Sequence, residues 1–313
     1  MASLLADKVA IITGAGRGIG EAIAVQMAEE GARVVVNDPG VGPDGQGHDN
    51  GPADRVVARI TDAGGAAVPN YDSVATMQGG ESIIQTALDS FGRVDILVNN
   101  AGILRDRMIF NMAPEEWSDV IAVHLKGHFA CIKPASVLMR QQRCGRIINF
   151  SSESGLTGNA GQANYGAAKS AIAGLTRVVA RDLGRYGVTC NAIAPRAWTR
   201  LTATIPQQRP GAAPADAPDT SRLDQLNPEF VSPMVCYLAS DAAWNINGQT
   251  FLVYAGTVAV LQHPTPWRTA FKPGMWTLDE LTKAVPDLLE GTRNPAPPPE
   301  ELEIPGRNIE IPL

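Results

Sequence analysis

A chain of 313 residues makes one large domain or two small ones and can bury a core without disulfides or metals. Its 44% hydrophobic and 19% charged residues exclude wholesale disorder. A net charge of −6 argues against nucleic acid or an anionic membrane as the main partner. Cys131, Cys144, Cys190 and Cys236 form no close pair and show no zinc or redox spacing, which reads as reduced thiols in a cytoplasmic protein with no metal site. The first ten residues carry no basic region followed by a long apolar run, so no secretory signal is expected. No stretch approaches about 18 uninterrupted apolar residues, so no membrane span is expected either.

In chain order, short apolar runs alternate with longer helical patterns. The runs are Val9–Ile12, Val34–Val36, Ile96–Val98 and Ile147–Phe150. This order predicts an α/β fold, a doubly wound parallel sheet of about seven strands with helices on both faces. The runs are almost continuously apolar, as strands covered on both faces are. Residues 39–53, with five glycines and three prolines, read as a long loop. The clearest helix runs from about Ala163 to Arg185, with Ala168, Ala171, Ile172, Leu175, Val178 and Val179 as one buried stripe. Strands follow at about Val188–Ile193 and Thr250–Tyr254. Residues 203–222, rich in Ala and Pro, read as a lid or a disordered insert, the lid spanning about 200–227. The last fifty residues hold 10 of the 23 prolines. They form an extension, 263–313, in which one helix at about Leu278–Leu289 is expected; the rest packs on a surface or is disordered. Residues 1–262 form the catalytic domain.

Thr13-Gly14-Ala15-Gly16-Arg17-Gly18-Ile19-Gly20 lies between the first strand and a helix. Glycines there allow a tight turn and a close approach of backbone to a pyrophosphate, and the helix start offers free N–H groups. Asp38, at the end of the second strand, can accept hydrogen bonds from the adenosine ribose and repel a 2′-phosphate, favouring NAD over NADP. It also suits a turn before Pro39. Arg17 can meet a phosphate. Tyr165 and Lys169 share a helix face, and Ser152 follows a strand. A Lys ammonium beside a Tyr hydroxyl lowers its pKa, and a Ser hydroxyl can hold a substrate oxygen. Tyr can then take the proton of an alcohol as hydride leaves.

With Asn99-Asn100-Ala101-Gly102 and Asn191-Ala192-Ile193-Ala194-Pro195 added, the chain from about 5 to 262 resembles the short-chain dehydrogenase/reductase family. The resemblance implies a Rossmann-like domain, with Tyr165 as acid/base, Lys169 on the nicotinamide ribose and Ser152 orienting the reacting oxygen. It places Gly14, Gly18, Ile19, Gly20, Asn100, Ala101, Gly102 and Pro195 along the cofactor. His124 stands where many members have an Asn that positions a relay water. It can hold that water through a ring nitrogen or be a structural core histidine.

Asn70-Tyr71-Asp72-Ser73-Val74, Ile103–Arg107, His124–Gly127 and Gly161–Tyr165 resemble the hydroxyacyl-CoA dehydrogenase branch. That branch includes part of peroxisomal multifunctional enzyme type 2, also known as a 17β-hydroxysteroid dehydrogenase, and bacterial relatives linked to steroid side-chain degradation. In it Asp72 and Ser73 lie by the adenine, and the implied reaction is NAD-dependent oxidation of a (3R)-3-hydroxyacyl-CoA to its 3-oxoacyl-CoA. Arg105, Arg107, Lys126 and Arg200 are candidates for the CoA phosphates. Arg196 stands where many members carry a glycine after this proline, and with the bulky Trp198 that follows it leaves the substrate open. The alternatives are a free hydroxysteroid or other secondary alcohol, and a non-catalytic NAD-binding scaffold. Family members form homodimers or homotetramers, so a homo-oligomer is expected.

Overall fold

A computed structural model describes residues 3–197, 226–292, 294–299 and 301–304. The apolar runs become parallel strands β1 (Val9–Thr13), β2 (Arg33–Asn37), β4 (Ile96–Asn99), β5 (Gly145–Phe150), β6 (Val188–Pro195) and β7 (Thr250–Tyr254). Alternate residues serve opposite faces. Ala10, Ile12, Val34, Val36, Ile96 and Val98 enter one hydrophobic cluster, and Val9, Ile11, Val35 and Leu97 enter the other. Two covered faces explain why the runs look uniformly apolar.

The sheet has eight strands in the order β3-β2-β1-β4-β5-β6-β7-β8. The seven from β3 to β7 in this order are parallel, and β8 (Thr257–Val260) returns antiparallel to β7 at the edge. The expected parallel strands are therefore present, with one antiparallel strand added. β3 (Ala66–Asn70) carries Pro69, tolerated because this strand is at the opposite edge. The order reverses between β1 and β4, which opens a crevice at the carboxyl ends of these strands, where doubly wound sheets bind ligands.

Helices α1 (Gly18–Glu29), α2 (Gly51–Asp62) and, later in the chain, α8 (Ser232–Ala239) cover one face through Ile23, Met27, Val56, Ile60 and Val235. The helices α3 (Met77–Phe91), α5 (Gly127–Gln142) and α7 (Ala163–Leu183) cover the other through Ile83, Ala87, Ile132, Met139 and Leu183. Short α4 (Pro114–Ile121) and α6 (Glu153–Thr157) lie along the chain before α5 and α7. The glycine-rich loop closes earlier than expected: Gly51 and Pro52 open α2, with Asp49 Oδ1 accepting from Gly51 N at 2.9 Å. The stripe on α7 also differs. Ala168, Ile172 and Val179 are buried, but Val178 is exposed and Thr176 takes an interior place, its hydroxyl satisfied by Ile172 O at 2.8 Å.

The chain divides into two compact units, Met1–Gln262 and His263–Leu313. Within the second, α9 (Leu278–Leu289) begins with a reciprocal cap: Glu280 N donates to Thr277 Oγ1, and Thr277 N donates to Glu280 Oε2. Lys272 Nζ bonds Glu280 and Arg268 Nη1 bonds the Asp287 carbonyl. The expected lid over 203–222, with Trp198 and Arg200, lies outside the described residues. Among the described residues no helix is long and apolar enough to cross a membrane.

Candidate active site

β1 ends at Thr13, and the chain turns through Gly14 at φ +64° and Gly18 at φ +58°, a region where a side chain is strained. A Cβ on Gly14 would lie 2.7 Å from Ala101 Cα, and one on Gly16 would lie 2.8 Å from Asp38 Oδ2. Asp38 is buried, and its carboxylate accepts from Gly16 N at 2.9 Å and Gly40 N at 2.7 Å. No side chain caps the start of α1, so its N–H groups remain for an anion. Arg17 lies on the same turn, its Nη1 3.5 Å from Val41 O.

The segment after β4 locks this turn. Asn100 Nδ2 donates to the carbonyls of Thr13 and Gly14 at 3.0 and 3.1 Å, and Thr13 Oγ1 accepts from the N–H groups of Asn100 and Ala101. Asn99 Nδ2 donates to Asn149 Oδ1, whose own amide reaches Thr176 Oγ1, tying β4, β5 and α7 together.

A cavity of about 890 Å³ opens at the carboxyl ends of these strands. Gly14, Arg17, Gly18, Ile19, Gly20, Asp38, Ser73, Asn100, Ala101, Gly102, His124, Ser152, Tyr165, Lys169 and Pro195 all line it. Asp72 is absent from that lining. Its Oδ2 accepts from Asn70 Nδ2 at 2.9 Å and Ser82 Oγ at 2.7 Å, which braces the turn into α3.

Ser152 sits at the end of β5 as the cap of α6, its Oγ accepting from Ser154 N at 3.2 Å, which leaves its O–H to donate elsewhere. Tyr165 and Lys169 lie one turn apart on α7. Lys169 is buried, with Nζ 2.6 Å from Phe150 O and 5.5 Å from the Tyr165 ring centre. Burial lowers Lys169 to about 7. Tyr165 is raised, mainly by burial and further by the charge of Asp106, while the Ser152 hydroxyl pulls it down. The expected lowering of Tyr165 by Lys169 is thus not the balance reached here: desolvation dominates both groups.

His124 lies in a π-turn, Ala122–Lys126, between α4 and α5. Its ring meets Tyr165 edge-on, with centres 5.1 Å apart and planes at 88°. Nε2 is 2.8 Å from Ile103 O and 3.2 Å from Ile103 N; the shorter contact assigns Nε2–H as donor. Nδ1 is then a buried acceptor with no hydrogen-bond partner among the described residues, the condition a relay water would meet. Burial first, and the Lys169 charge second, hold His124 well below its ordinary range, so it is neutral. Gly102 is required here, because a Cβ would run into the imidazole.

The model for short chain dehydrogenases matches residues 8–210. The chain belongs to that family. It is 42% identical over 296 residues to hydroxyacyl-CoA dehydrogenase ChsB1 of Mycobacterium tuberculosis, covering 92% of this chain and 90% of that protein. It is 44% identical over 255 residues to peroxisomal multifunctional enzyme type 2 of Mus musculus, covering 82% of this chain but only 32% of that protein. The crystal structure of a short chain dehydrogenase from Mycobacterium avium superposes with a TM-score of 0.80 at 45% identity, covering 94% of this chain and 98% of that one. The protein is therefore an oxidoreductase, and its family fold serves a nicotinamide dinucleotide.

Several features of this dehydrogenase site were not legible beforehand. The π-turn has no periodic signal. His128, four residues after His124, is buried and brings Nδ1 to 2.6 Å from the His124 carbonyl. Gln162 Nε2 donates to Asp106 Oδ2 at 2.8 Å, and Asn164 Nδ2 holds the carbonyls of Arg105 and Glu116 at 2.9 Å, clamping 105–107 onto the start of α7. Arg105 is paired with Asp119 at 3.1 Å and Arg107 with Glu116 at 3.2 Å, while Lys126 is exposed and outside the cavity lining. Arg105 and Arg107 thus already hold carboxylate partners, and Arg200 lies outside the described residues.

Proposed function

We propose that the protein is an NAD-dependent dehydrogenase of (3R)-3-hydroxyacyl-CoA thioesters, steroid side-chain thioesters among them. The observation that carries this reading is the joining of Ser152, Tyr165 and Lys169 with Asp38 on one cavity. The similarity to ChsB1 along 90% of its length directs the substrate choice.

The turn fits a dinucleotide: its Cβ-free approach at Gly14, the uncapped start of α1 and the Asp38 carboxylate suit pyrophosphate and adenosine ribose in turn. Asp38 supports NAD, since a 2′-phosphate would meet a carboxylate. When bound, the nicotinamide supplies the hydride acceptor. Ser152 Oγ–H donates to the carbinol oxygen and fixes the alcohol against Tyr165. The Tyr165 oxygen removes the hydroxyl proton as the carbon–oxygen bond becomes a carbonyl. Lys169, when charged, stabilises the phenolate, and the buried acceptor nitrogen of His124, which stays neutral, would hold a water through which the proton leaves Tyr165.

A second reading, oxidation of a free hydroxysteroid or other secondary alcohol, draws on the ion pairing of Arg105 and Arg107, which leaves fewer cations for CoA phosphates. A homodimer or homotetramer built through the long helices is part of the proposal, supported by exposed Phe129 and Val137 on α5 and Val178 on α7. So is a cytoplasmic location. NADH formation from (3R)- and (3S)-3-hydroxyacyl-CoA, a steroid side-chain thioester and a free 17β-hydroxysteroid tests the reading. Preference for the (3R)-thioesters supports it. Turnover of the free steroid alone replaces it with the second reading, and NADH binding without turnover leaves a scaffold.

A further inference from the structure

The carboxyl ends of β5, β6 and β7 carry a charged cluster that the chemistry above does not use. Glu153 directly follows Ser152, Arg196 directly follows Pro195, and both line the cavity. The Arg196 guanidinium grips Glu153 through two donors, Nε to one carboxylate oxygen and Nη2 to the other. Its carbon stands 4.8 Å from the centre of the Tyr254 ring at the end of β7. This pairing lowers the Glu153 carboxyl and raises the Arg196 guanidinium, so both stay charged.

An ion pair with side chains 44% and 38% exposed adds little to stability, so bracing alone does not account for it. A guanidinium is planar and carries five N–H donors. Glu153 takes the Nε–Nη2 edge and the Tyr254 ring lies against the guanidinium, and among the described residues Nη1 has no acceptor, which leaves it for one on the cavity wall. Glu153 is one residue from Ser152, the group that holds the reacting oxygen. In a 3-hydroxyacyl thioester the second oxygen, the thioester carbonyl, is on a carbon separated from the carbinol by a single methylene.

We infer that Arg196 is a specificity-determining residue that takes the thioester carbonyl oxygen of the substrate, with Glu153 holding the guanidinium in position. The inference rests on the hydroxyacyl-thioester reading. A hydrogen bond from a charged donor to that carbonyl is stronger than a neutral one, and an alcohol without the neighbouring carbonyl leaves the donor unmatched. The same residue that departs from the family's small side chain at this position thereby selects 3-hydroxyacyl thioesters over isolated alcohols.

The test compares a (3R)-3-hydroxyacyl-CoA with the matching thioether, in which the thioester C=O is a CH₂, in the wild type, Arg196→Met, Arg196→Lys and Glu153→Gln. The wild type should prefer the thioester by about a hundredfold in kcat/KM, the size of one lost hydrogen bond to a charged group. Arg196→Met should bring that ratio to within about fivefold, because it loses far more on the thioester than on the thioether. Arg196→Lys should keep part of the preference, and Glu153→Gln should give an intermediate ratio. NADH titration by fluorescence checks that each variant retains its cofactor site. Equal losses on both substrates in Arg196→Met, or a wild type that oxidises both equally well, would overturn the assignment. A wild type that oxidises only a free hydroxysteroid removes the hydroxyacyl reading itself, and the role of Arg196 with it.

Discussion

Lys169 is held below its ordinary pKa, at about 7, by burial beside Tyr165. In the unfolded chain a Lys stays protonated to about pH 10.4. Between these values the unfolded state binds the extra proton, so this group makes stability rise with pH. From pH 7 to 9 the wild type should therefore gain about 2–3 kcal/mol relative to Lys169→Met, read by urea denaturation of the cofactor-free protein at both values. A constant difference would mean that Lys169 is not desolvated. Asp38 makes a different prediction. Replacing it with Ser removes the charge that faces a 2′-phosphate and should shift the NAD/NADP ratio of kcat/KM toward NADP by about a hundredfold. It also frees the N–H groups of Gly16 and Gly40, so a loss of about 1–3 kcal/mol is expected by the same denaturation. The meeting of Tyr165 with Lys169 was visible from their spacing, but the raised pKa of Tyr165 was not. Spacing reports which groups meet, whereas burial depends on neighbours such as Asp106 and Phe150, brought in from distant segments.

The π-turn at Ala122–Lys126 shows what an element contributes beyond its residues. Such turns widen a helix by one residue and recur at functional sites. Here the turn carries His124 into contact with Tyr165, and His128 holds it by meeting the His124 carbonyl. His128→Ala should cost about 1–3 kcal/mol and lower kcat about tenfold with KM nearly unchanged, since the catalytic ring would be less well placed. Steady-state kinetics with denaturation would show it; a stability loss with kcat intact would make His128 merely structural. The strands were legible because β-branched residues facing two covered faces leave an unbroken apolar run. β3 was not picked out among these runs, because Ala66, Ala67 and Pro69 give an edge strand little apolar signature. β8 escaped because half of its residues face outward, as exposed Val258 and Val260 show. The bracing of Asp72 by Asn70 and Ser82 was not visible either, because Ser82 comes from the next helix; its neighbour Ser73 lines the cavity.

For the whole molecule, the two units differ in character. Met1–Gln262 holds both hydrophobic clusters and, among the described residues, the lining of the cavity, while His263–Leu313 is organised by a capped helix and a few ion pairs. The exposed apolar residues on α5 and α7 would be covered by the second copy of the chain proposed above. Sedimentation of the purified protein should give a mass of two or four times 33.1 kDa; a single 33.1 kDa species at every concentration would contradict this. In the proposed reaction Tyr165 performs NAD-dependent oxidation of a (3R)-3-hydroxyacyl-CoA. The most direct measurement is NADH formation from that thioester by the wild type and by Tyr165→Phe, with NADH affinity determined alongside. The wild type should turn over, and the variant should lose about 10²–10⁴-fold in kcat while binding NADH as before. A variant that turns over at the wild-type rate, or a wild type inactive on the thioester, would contradict the account.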